Sequence, residues 1–70
     1  MTHPQASALL RRLELAAGVE YDRQHRRHIR HSLRGLPSGA SPALIGARAW
    51  LVSGVPESVC REAWAQVEGA

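Results

Sequence analysis

Seventy residues with nine arginines, no lysine, six acids and one cysteine carry a formal net charge of +3. A chain of this length holds one small domain, since soluble domains usually run to about 100 residues or more, and a large enzyme core is excluded. A hydrophobic share of 44% with only six Gly and four Pro excludes collagen-like and wholly disordered chains as well.

Gly, Pro and capping residues divide the chain into four stretches of helical length. The first helix is expected over about 4–17, with Pro4 in its first turn and Gly18 ending it. Ala6, Leu9, Leu10, Leu13, Ala16 and Ala17 share one face of it, while Ser7, Arg11, Arg12 and Glu14 lie off that face. Ala8 and Leu15 fall opposite, as either harmless exposure or a second contact surface. The second helix is expected over about 22–34, with Asp22 as N-cap and Gly35 as its stop. Its apolar stripe is thin: Tyr21, Ile29, Leu33 and Leu36, with His25 inside the same arc.

Residues 35–41 have the most loop-like composition and form the one candidate hinge of a single domain spanning 1–70. Ser41-Pro42 then signals a third helix over about 42–52, an N-cap serine followed by proline at the first helical position. Its apolar residues surround the wheel with Arg48 as the one charge, a pattern that asks for neighbours on every side and predicts a central helix. The fourth is expected over about 56–68, burying Val59, Cys60, Ala63, Trp64 and Val67. No stretch alternates with period two, so the fold class is all-α: a small compact bundle or orthogonal array of four short helices. Trp50 and Trp64 read as core, and homodimerisation would relieve the small size of that core.

The charge is not spread evenly. Residues 21–34 hold five arginines and one aspartate, or +4, while the remainder sums to −1. On a helical wheel Arg23, Arg26, Arg27, Arg30 and Arg34 fall within about 100°, directed away from the Ile29 and Leu33 stripe. Like charges three and four residues apart oppose the helix by roughly 1 to 2 kcal/mol in sum at low salt. An arrangement that costs its own helix so much implies an anionic partner: nucleic-acid phosphate, an acidic protein surface, or the acidic fourth helix of this chain. A merely solvated basic face is the plain alternative.

From Ala47 to Trp64 the chain also looks like a helix-turn-helix, a helix, a turn at Gly54 and a second helix. It departs from that pattern at Trp50 and Ser53, and its second helix is acidic, with Glu57, Glu62 and Glu68 against Arg61. Two packed helices at a glycine corner explain the same residues. His25, His28 and His31 are spaced by three, which turns each about 60° from the last, so no metal site and no cofactor is expected. Cys60 sits on an apolar stripe as a small hydrophobe, and no nucleophile, base and orienter stand together, so no enzyme is expected. No run approaches the roughly 20 apolar residues of a membrane span. The N-terminal residues lack a signal-peptide pattern, and a lone cysteine suits a reducing interior, so the expected location is cytoplasmic.

Two functions follow. The first is a small regulator of the DNA-binding transcriptional type, using the five arginines on phosphate, with His28, His31, Arg61 and Gln66 as secondary contacts. The second is a protein-binding adaptor or inhibitor, of the kind a phage or other mobile element encodes, docking the same arginines on an acidic surface.

Overall fold

The computed structural model describes all 70 residues and contains four helices and no strand: α1 His3–Ala17, α2 Arg23–Arg34, α3 Pro42–Ser53 and α4 Glu57–Glu68. Each begins and ends within one residue of its expected bounds, because the capping chemistry is local. The Asp22 carboxylate accepts from the His25 amide at 2.8 Å and the Ser41 hydroxyl oxygen from the Leu44 amide at 3.1 Å. Thr2 caps α1 reciprocally, its hydroxyl oxygen accepting from the Gln5 amide while the Gln5 side chain accepts from the Thr2 amide. Gly18 and Gly54 close α1 and α3 in the left-handed conformation, with φ of 68° and 78°, where a side chain would be strained.

The helices form a ring in which each packs on its two chain neighbours and α4 closes back on α1. Ties along the α1–α2 and α2–α3 pairs run these two pairs antiparallel. For α1 and α2, the Glu14 carboxylate accepts from the Tyr21 amide at one end, and the Met1 amino group donates to the Leu36 carbonyl at the other. For α2 and α3, the Tyr21 hydroxyl donates to the Ser53 carbonyl at the end opposite the connecting loop. The loop itself is anchored by buried Leu36. Between α3 and α4 the close approach is at Gly46, where an added Cβ would stand 2.6 Å from Arg61 Cγ. The α3–α4 corner is two packed helices joined by a turn at Gly54.

Thirteen hydrophobic residues make the core, drawn from all four helices, Leu36 and Val55. Three expectations fail here. Ala16 and Ala17 are exposed, because the core-facing side of α1 ends at Leu13 and Glu14. Glu14 is itself buried, at 9% exposure. Most consequentially, α3 is not central. In a ring of four there is no enclosed position, so α3 buries Ile45, Gly46 and Ala49, half-buries Arg48, Val52 and Ser53, and turns the rest outward. Leu44, Trp50 and Leu51 remain 44%, 52% and 74% exposed, with Ala43 and Ala47 exposed between them. At 100° per residue these five share an arc of about 120° that contains no charge. Trp64 is in the core, whereas Trp50 is half in solvent.

Candidate functional site

Helix α2 carries the arginine cluster. Ile29 and Leu33 are fully buried and fix its rotation, so the outward position of every other residue follows from its angle to those two. The arginine arc is not opposite this stripe. It is centred roughly a quarter turn from it, on the side toward α1, and Arg26 stands only about 20° from Leu33 on the wheel.

Arg26 is therefore drawn into the structure. Its Nε donates to Glu14 Oε2 at 2.8 Å and its Nη2 to Glu14 Oε1 at 3.1 Å, a two-pronged pairing, and Nη2 also lies 3.1 Å from Glu20 Oε1. The same Glu14 oxygen accepts from the Tyr21 amide at 2.9 Å. The Arg26 hydrogen bonds hold the Glu14 carboxyl below the usual carboxylate range, against burial, which pushes it up. The same pairing raises the Arg26 pKa, so this guanidinium stays charged. Neutralisation thus comes from α1 and the α1–α2 connection, and the acidic face of α4 takes no part in it.

The other four arginines have no such partner. Arg23, Arg27 and Arg34 are exposed and Arg30 half-buried, and none makes an ion pair. Arg30 Nε is shielded from solvent without any hydrogen-bond acceptor. Burying a donor unpaired is unfavourable, so the protein tolerates a guanidinium here that it does not satisfy itself. His28 and His31 are exposed on the same helix. On the flank toward α3, Arg48 Nη1 donates to the Ser32 carbonyl at 3.1 Å, which lays this arginine along α2. His25 closes the other end of that flank. Its Nε2 is 3.1 Å from the Val52 carbonyl, an acceptor only, so this nitrogen carries the proton. Tyr21, edge-on to the His25 ring, donates to Ser53 and offers no stacking surface beside the arginines.

The secondary residues divide in two. His28 and His31 join the α2 face, whereas Arg61 and Gln66 lie on α4, diagonally across the ring. Arg61 pairs with Glu57 within α4 at 3.6 Å, whereas the Gln66 side chain accepts from Arg12 of α1 at 2.6 Å. A cleft of 580 Å³ at the end of the bundle is lined by Met1, Gln5, Leu36, Ile45, Trp64 and Glu68 among others, and by no arginine. It is separate from the charged face. Cys60 is fully buried, its thiol donating to the Val55 carbonyl at 3.3 Å, and burial pushes its pKa up, which suppresses the reactive thiolate. No three His, Cys, Asp or Glu side chains come together as a metal-binding group, and no helix is long and apolar enough to cross a membrane.

Compared with protein-family models, curated proteins and solved structures, the chain matches none. The reading of the site rests on its own geometry.

Proposed function

We propose that this chain is a small non-enzymatic regulatory module that binds nucleic acid through α2. The observation that carries the reading is the unneutralised set Arg23, Arg27, Arg30 and Arg34 on one side of a single helix. Where the fold needs an arginine neutralised, at Arg26, it supplies two carboxylates; at these four it supplies none. Guanidinium groups pair with phosphate through two parallel hydrogen bonds, and neutralising about four phosphates gives log affinity against log salt a slope of about −3.6 on duplex DNA. Between about 50 and 200 mM salt that slope lowers affinity by about 150-fold. Fluorescence anisotropy with a labelled duplex at those two salt concentrations tests this. Absence of binding at the lower one overturns it.

A specific observation favours a second reading, a protein-binding adaptor or inhibitor. The charge-free arc of Leu44, Ala47, Trp50 and Leu51 is the kind of exposed apolar patch that marks protein contacts, and half-exposed tryptophans are common anchors of such contacts. A pull-down with and without nuclease separates the two. Recovery of one stoichiometric protein that survives nuclease and is lost in Trp50→Ala supports the adaptor; recovery that disappears with nuclease supports the nucleic-acid reading.

A further inference from the structure

The ridge of α2 that stands furthest from the bundle overlaps the arginine arc only at Arg27. Taking Ile29 and Leu33 as the inward direction, the residues opposite are Gln24, Arg27 and His31, within an arc of about 60°. All three are exposed and none makes a side-chain bond within the protein. On one side of this ridge lie Arg23, Arg34 and Arg30; on the other lie His28 and the Arg48 that Ser32 holds along α2. The section is that of a helix with a hydrogen-bonding crest, three arginines on one shoulder and the α3 arginine, Arg48, on the other.

Resting on the nucleic-acid reading above, the geometry points to α2 as a helix that enters the major groove of duplex DNA, with Gln24, Arg27 and His31 contacting base edges while Arg23, Arg30, Arg34 and Arg48 contact the two backbones. The major groove is about 12 Å wide and 8.5 Å deep and accepts an α-helix; phosphates line both of its walls, where the two shoulders lie. The crest side chains suit base edges. Gln is the two-pronged partner of adenine, Arg that of guanine, and a neutral His offers one donor and one acceptor. Twelve residues of helix rise about 18 Å, enough to follow about five base pairs. Other nucleic acids fit worse: the deep, narrow major groove of A-form RNA excludes a helix, and single strands want stacking aromatics that this face lacks.

Selection from a random DNA duplex library with the full chain, followed by sequencing and anisotropy on the enriched sites, tests the assignment. Wild type is expected to enrich a motif of about five base pairs. Gln24→Ala and Arg27→Ala should each flatten the preference at one position, lowering discrimination there by about 5- to 150-fold. Arg23→Ala should instead weaken all duplexes alike and reduce the salt slope by about one, and Ser58→Ala on α4 should change neither. Circular dichroism confirms that each surface variant keeps its helices. Salt-dependent duplex binding without any enriched motif overturns the base-reading role and leaves the nucleic-acid reading standing. Equal or tighter binding to RNA duplex or single strands overturns the choice of duplex DNA. No binding to any duplex at low salt brings down both.

Discussion

Reversing one charge on the crest of α2 should stabilise the fold while weakening the proposed duplex contact. Arg27 is exposed, has no acidic neighbour, and stands four residues after Arg23 and three before Arg30, both also unpaired. Arg27→Glu converts two repulsive helical pairs into two attractive ones. At a few tenths of a kcal/mol for each change, the gain is about 1 to 2 kcal/mol at low ionic strength. A domain of this size has a total stability of only about 4 to 10 kcal/mol, and 1 kcal/mol moves its midpoint by about 4–8 °C. The expected result is a Tm higher by about 5–15 °C, with Arg27→Gln giving about half. Thermal melts followed by circular dichroism at about 0.01 and about 1 M salt provide the check, because the Debye length falls from about 30 to about 3 Å between them. The gain should be largest at the lower salt and nearly absent at the higher, while duplex affinity of the variant falls at both. An unchanged or lower Tm at low salt would show that the arginine repulsions are already compensated, and the inference of an external anion would lose its basis.

Three further outcomes follow from the packing. Glu14→Gln should lower Tm at neutral pH, and the gap to wild type should close on acidification: the Glu14 pKa is depressed in the fold, so its contribution is present above the usual value of about 4.3 and is lost as pH falls through the folded value; a gap that stays constant down to pH of about 2 refutes the role of the ionised carboxylate. Gly46→Ala should destabilise despite the better helix propensity of alanine, since its Cβ meets Arg61 Cγ at 2.6 Å, and in an Arg61→Ala background the same change should become neutral or stabilising; equal effects in both backgrounds would show that Arg61 is not what limits the approach. Cys60 should resist a thiol reagent in the folded protein and react at the rate of global opening, so the observed rate should rise with denaturant; immediate labelling in native buffer would contradict its burial.

Much of this fold is written locally. Asp22, Ser41-Pro42, Gly18 and Gly54 mark helix ends by chemistry that acts over three or four residues, and the Thr2 to Gln5 pair carries the same kind of signal at the start of α1. The stripes of α2 and α4 also name the residues that pack, with Tyr21, His25, Val59 and Val67 only half-buried, because one charged side leaves a single side for packing. The position of α3 is different. A helix apolar all round states that nothing prevents burial, but burial needs a shell, and three other short helices cannot provide one. Alanine adds to the confusion, since Ala43 and Ala47 pack in a core or sit in solvent at little cost either way. At the site, the wheel position of Arg26 beside Leu33 is enough to mark it as different from Arg23, Arg27 and Arg34. The identity of its partner is not local: Glu14 meets it only through the antiparallel register of α1 and α2, which no spacing within either helix encodes.

The exposed arc on α3 makes the solution behaviour of this protein depend on what its arginines are doing. Copies carrying a net positive charge repel one another, and that repulsion keeps Leu44, Trp50 and Leu51 of different molecules apart. Added salt screens the repulsion and, with excluded anions such as sulfate, strengthens apolar association at the same time. The two effects act in one direction, so this small cationic protein should stay monodisperse in dilute buffer and crowd together as ionic strength rises. Copies bound side by side on one polyanion would lose this mutual repulsion too, while the α3 arc of each stays open to its neighbour.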